Sequence, residues 1–94
     1  MKRIYPKNWK EISFRIKSIS HFTCCLCFKA SSRHNPLTVH HFDHDTLNND
    51  DSNLVCLCAR CHLLLHSAMT GIRSHSDLRY FIDFRNKDLR LTTL

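Results

Sequence analysis

The chain has 94 residues, including six cysteines, eight histidines and a single glycine, and a formal charge of +6. That length holds one compact unit with a marginal core, which usually needs a disulfide, a metal or a partner as a staple. No apolar run approaches the roughly 18 residues of a membrane span. The polar, basic start Met1-Lys2-Arg3-Ile4-Tyr5-Pro6 lacks the apolar stretch of a secretory leader. The expectation is a cytoplasmic protein with reduced thiols and no membrane partner.

Taken in chain order, the pattern opens with a helix over 8–20. Asn8 with Glu11 three residues on resembles a capping box, and Trp9, Ile12, Ile16 and Ile19 fall at helical spacing. Residues 24–36 read as a tight cysteine knuckle followed by a polar loop. A short β-rich strand is expected over 37–42, then a turn rich in Asn and Asp over 46–53 and a second strand over 54–57. A helix over 59–69 is expected to stop near Gly71 as a C-cap, and a last helix spans 76–86. The order is helix, knuckle, strand, loop, strand, helix and helical tail, an α+β arrangement expected to form one domain over 1–94.

Charge is uneven along this order. Residues 1–42 carry eight Lys/Arg against one Glu, residues 43–62 one Arg against four Asp, and residues 63–94 five basic against three acidic side chains. Basic flanks around an acidic, histidine-rich centre suit a polyanion outside and a cation inside. Lys10, Lys17, Arg33, Arg60 and Arg73 are the candidates for phosphate contact, with Arg79, Arg85, Lys87 and Arg90 further along the tail.

The cysteines form two tight groups. Cys24 and Cys27 make one C-x-x-C and Cys58 and Cys61 a second. A two-residue spacer turns both thiolates onto one ion, and two such pairs build the closed tetrahedral sphere of a structural zinc. With all four positions filled, that ion does no chemistry. Cys25 and Cys56 are left as small apolar side chains. The long excursion between the two pairs holds the histidines. His62 and His66 are four residues apart, on one face of the expected helix, and form a natural metal grip. A third ligand from the strand end leaves positions open for water and a phosphate oxygen. His40 and His41 are adjacent in the strand and point to opposite faces, so one can bind metal while the other faces substrate. His21, His34, His44 and His75 have no such frame and are read as structural or surface residues.

The stretch Val39-His40-His41-Phe42-Asp43, with Asn53-Leu54-Val55 and Leu57-Cys58-Ala59-Arg60-Cys61-His62, resembles the HNH endonuclease motif, its three letters falling on His41, Asn53 and His62. With Cys24 and Cys27 the resemblance covers about residues 24–66, and the lead-in Tyr5-Pro6-Lys7-Asn8-Trp9 is similar to that of small stand-alone HNH proteins of bacteria and phages. The resemblance implies a ββα-metal (His-Me finger) fold around a divalent ion. It implies His41 as the general base, His40 and His62 as metal ligands, and Asn53 as the residue that holds the hairpin loop and orients His41 through a hydrogen bond. His66 resembles an extra helix ligand found in bacteriocin-type members.

These roles describe phosphodiester hydrolysis by a water activated at His41, most simply in DNA, with RNA as the alternative substrate. The expected ions are structural Zn²⁺ and a catalytic Mg²⁺ or Mn²⁺, with Ni²⁺, Co²⁺ or Zn²⁺ able to occupy the imidazole site in vitro. The competing reading is a zinc-stapled nucleic-acid-binding module without catalysis. The sequence leaves monomer and homodimer equally open.

Overall fold

The structure is a computed structural model that describes residues 5–66 and 71–92, with side chains through 84. Its elements are α1 (Trp9–Ile19), β1 (Leu37–His41), a single 3₁₀ turn at Asp51–Asn53, β2 (Leu54–Cys58), α2 (Ala59–His66) and α3 (His75–Thr92). The expected strands and the first helix are present within a residue or two of their expected limits. The tail helix is longer than expected, and residues 67–69 of the helix expected over 59–69 lie outside the described residues. Gly71 has the left-handed φ of +68° that suits a glycine after a helix. Among the described residues no helix is long and apolar enough to cross a membrane.

The capping box at the start of α1 does not form. Asn8 has φ −95° and ψ 25° and makes no side-chain cap bond, because the extended backbone that aims an N-cap side chain at the next turn is missing. Its carbonyl still accepts the Ile12 N–H at 3.1 Å. Ile16 is buried, and Trp9 and Ile12 pack on the core. Ile19, expected on the same stripe, is 63% exposed. The chain turns away there through His21 and Phe22, both at φ 56°.

β1 and β2 pair antiparallel, with Thr38 opposite Leu57, Val39 opposite Cys56 and His40 opposite Val55. All five residues of β2 are buried, as are four of five in β1. An exposed two-stranded ribbon would bury alternate residues only. Here α1 and α2 both pack on both strands, so both faces are covered. This explains why Leu54-Val55-Cys56-Leu57-Cys58 is a continuous apolar run. The sheet thus carries successive β1 side chains into two separate helix interfaces.

Candidate functional site

The two C-x-x-C pairs meet. One sulfur from each of Cys24, Cys27, Cys58 and Cys61 lies within 4.8 Å of every other. The Cys27 and Cys58 Sγ atoms are 3.7 Å apart, far beyond a disulfide bond, and all six cysteines are free thiols. Four sulfurs about 2.3 Å from a tetrahedral zinc lie about 3.8 Å from one another, so the observed spacing fits that ion. Local structure explains the fit. The N–H groups of Leu26 and Cys27 both donate to Cys24 Sγ at 3.4 Å. Cys24 N–H donates to the Lys29 carbonyl and Phe28 N–H to the Cys24 carbonyl, each at 2.9 Å, which closes the knuckle.

Charge within the cluster is already poised for a cation. Burial pushes the Cys58 thiol up, but hydrogen bonds from the Cys61 backbone, the Asn35 side chain and the Cys61 and Cys27 thiols outweigh it and bring it down to about 6. Burial and the neighbouring Cys58 push the Cys61 thiol up. The two directions favour the thiolate at Cys58 over that at Cys61. Cys25 and Cys56 stay outside the cluster, and burial raises both thiols above the ordinary range.

A second cluster gathers 40, 62 and 66. One ring nitrogen from each of His40, His62 and His66 lies within 4.8 Å of the other two. Ring centroids are 4.9 Å apart for His40–His62, 5.4 Å for His40–His66 and 4.9 Å for His62–His66. His40 is 1% exposed, yet neither of its ring nitrogens has a hydrogen-bond partner. A buried imidazole left that way costs on the order of 1–3 kcal/mol, and a cation between the three rings removes the cost. Burial above all, with His62, His66, His44 and His41 adding to it, pushes the His40 pKa down to about 3. The ring is therefore neutral at physiological pH, the form that binds metal.

His41 sits on the other face of β1, as strand alternation requires. Trp9 stacks on it at 5.2 Å and 24°, and Tyr5 lies beyond at 6.2 Å. Its Nε2 is 2.9 Å from Asn49 Oδ1. The Asn49 amide is oriented by donating from Nδ2 to the Thr46 carbonyl. An amide oxygen only accepts, so Nε2 carries a proton, which in the neutral ring leaves the lone pair on Nδ1.

The expected hydrogen bond from Asn53 to His41 is not made. Asn53 Oδ1 accepts the Asp43 N–H at 3.1 Å, and Nδ2 donates to Asp43 Oδ1 at 2.8 Å and to the Asn48 carbonyl at 2.9 Å. Its own carbonyl accepts the Phe42 N–H. Asn53 therefore holds the loop that follows His41, as expected, while Asn49 holds the ring. The physical reason is competition: Asp43 and Asn48 already engage both polar atoms of the Asn53 side chain.

Three residues near the clusters escaped sequence reasoning. Thr38 Oγ1 is 2.7 Å from His62 Nδ1. His44, in the left-handed conformation with φ 62°, places its ring 5.4 Å from His40 and 4.8 Å from His66. Asn49 is the third. Only its place in an Asx-rich turn hinted at it. His75 behaves as a structural residue, with its Nε2 2.8 Å from the Leu54 carbonyl. Of the basic candidates, Lys10, Arg33, Arg60 and Arg73 are exposed and Lys17 is half-buried. They lie on separate segments. Arg85, Lys87 and Arg90 have side chains outside the described residues. Arg15, a further basic residue, pairs with Asp51 at 2.8 Å.

Curated proteins are similar to this chain in sequence. The Salmonella typhimurium protein named "Putative HNH nuclease YajD" is 41% identical over 75 residues, covering 71% of this chain and 65% of that protein. Its namesake in Escherichia coli K12 is 40% identical over the same shares. The chain belongs to the HNH family. A third match, the Zorya protein ZorE of another E. coli strain, is 37% identical over 59 residues, or 62% of this chain and 16% of that protein. The chain spans about 65% of the length of the first relatives. No family model matches it, and no solved structure does.

Proposed function

We propose that this HNH protein is a metal-dependent endonuclease that hydrolyses phosphodiester bonds in DNA, with β1, β2 and α2 as a ββα-metal unit. The observation that carries the reading is the pairing of a buried, partnerless His40 with His62 and His66, next to a His41 whose Nδ1 is held as a base. The relatives' names support a nucleic acid substrate. The basic side chains on α1, the 28–36 loop and the tail suit a phosphate backbone.

His41 takes a proton from the attacking water at Nδ1, while Asn49 receives the Nε2 proton in a hydrogen bond that stabilises the imidazolium as it forms. General-base catalysis by a positioned imidazole is worth about 10²–10⁴-fold. Trp9 limits the ring to one orientation and excludes bulk water from its face. His40, His62 and His66 would hold a divalent ion, which supplies Lewis-acid polarisation of the phosphate and stabilisation of the leaving oxygen. His40 and His41 are neighbours at the end of β1, which puts the proposed ligand and the proposed base next to each other in the chain. Mg²⁺ or Mn²⁺ is the working ion we assign, although three imidazoles bind later transition ions more tightly. The four cysteines hold structural zinc, a site suited to the reducing cytoplasm, and residues 1–94 act as one nuclease unit.

The test is incubation of supercoiled plasmid with the purified protein and Mg²⁺, Mn²⁺, Co²⁺ or Ni²⁺. The wild type is expected to nick or linearise it, and His41→Ala to stay folded and inert. Equal inertness of both across all four ions refutes the reading.

A further inference from the structure

The short contact between Thr38 and His62 has a chemical consequence. Thr38 lies on the α2 face of β1, two residues before His40. Its Oγ1 is 2.9 Å from the Leu57 carbonyl and 2.7 Å from His62 Nδ1. The hydroxyl has one proton to give, and a carbonyl oxygen can only accept. That proton therefore goes to Leu57. Were it turned to His62, two oxygens would face each other at 2.9 Å with no hydrogen between them. The hydroxyl must then accept from the imidazole, so Nδ1 carries hydrogen.

We propose that Thr38 is a positioning residue that locks His62 in its Nδ1–H form and so presents Nε2 to the ion shared with His40 and His66. The proposal deepens the metal-site reading above and rests on it. Partners of this kind, on the ring nitrogen away from the ion, fix a ligand's tautomer and orientation, and losing one typically weakens metal binding about 10–100-fold. The lock also ties the two clusters together. Leu57, whose carbonyl anchors the hydroxyl, precedes Cys58, and His62 follows Cys61. Each end of the hydrogen-bond chain is thus next to a cysteine ligand. The cysteine cluster sets where α2 begins, and Thr38 sets which nitrogen of its fourth residue faces the histidine site.

Thr38→Val keeps the shape and β-branching of the side chain and removes both hydrogen bonds. Thr38→Ser keeps both. The measurement is calorimetric titration of Co²⁺ into protein carrying one equivalent of zinc, together with ¹⁵N NMR of the histidine rings before Co²⁺ is added. The wild type is expected to show His62 protonated at Nδ1 and to bind one Co²⁺. Thr38→Val is expected to bind it about 10–100-fold more weakly and to show a mixture of His62 tautomers, with thermal unfolding close to wild type. Thr38→Ser is expected to restore both readouts. A wild-type His62 protonated at Nε2 instead overturns the proposal. So does a Thr38→Val protein that binds Co²⁺ like wild type, or a serine variant no better than valine. A wild type that binds no second ion overturns the metal-site reading itself, and the proposal with it. The NMR arm separates these failures, because it reads the hydrogen position with no ion in the site.

Discussion

Removing one zinc ligand should abolish the fold. Cys58→Ala takes away a sulfur that lies 3.7 Å from Cys27 Sγ and within 4.8 Å of the other two. It is also the thiol already brought down to about 6, hence the one that offers a thiolate first. Structural zinc contributes about 10–16 kcal/mol of apparent folding energy in small modules. Whole domains are stable by only about 5–15 kcal/mol. Here the cysteine cluster joins the knuckle to the start of α2, and the sheet between α1 and α2 has just two strands. The remaining core cannot replace a contribution of that size. Circular dichroism and a ¹H–¹⁵N correlation spectrum check the outcome: Cys58→Ala is expected to be unfolded at 25 °C, and a strong chelator to unfold the wild type. Cys25→Ala is the control. Its thiol lies outside the cluster, and the Cys25 N–H bond to the Cys56 carbonyl is backbone and survives. It should remain folded. If Cys58→Ala melted within a few degrees of wild type, and the chelator had no effect, the zinc account would be wrong.

Other predictions follow from the loop and the base. Asn53→Ala removes three hydrogen bonds from a residue that is 8% exposed, and should cost about 1–3 kcal/mol in urea unfolding. Asn49→Ala removes one bond to His41. It should lower plasmid cleavage by about 10-fold or more while Co²⁺ affinity stays unchanged. Loss of affinity equal to the loss of rate would mean that Asn49 acts on the metal ligands instead. Hydrogen bonds from Asn48, the Asp45 N–H and Asn53 hold the Asp43 carboxyl below the usual carboxylate range. The folded state therefore prefers the charged form. The stabilisation is full above the unfolded value near 3.8 and is lost as pH falls through the lower folded value. Asp43→Asn should flatten the acid limb of a stability-versus-pH curve, and an unchanged limb would contradict this.

Some of this was readable from residues alone because it is local. A C-x-x-C spacer needs only a turn to bring two sulfurs together, and the i, i+4 spacing of His62 and His66 needs only a helix. Strand alternation was enough to separate His40 from His41. Other features depend on what the chain meets after it folds. Thr38 gains its meaning only when β1 lies against α2, and Asn49 only when the turn brings its amide to His41. His44 reaches the cluster through a left-handed backbone, which pattern reading does not anticipate for histidine. The Asn8 motif had the right letters, but at φ −95° and ψ 25° Asn8 lacks the extended backbone that aims an N-cap side chain at the first turn. The partners of Asn53 were not legible either. Its hydrogen bonds run to Asp43 and Asn48, residues that meet it only once the loop has closed.

In the function proposed above, two separate ions serve one small unit, zinc among the cysteines for folding and a second ion among the histidines for cutting. Native mass spectrometry of wild type and His40→Ala, each saturated with Co²⁺ after loading one zinc, counts them directly. His40 lies in the second cluster and outside the first. The account predicts one zinc and one cobalt on the wild type, and zinc alone on a folded His40→Ala. A single ion on the wild type, or two on His40→Ala, would contradict it.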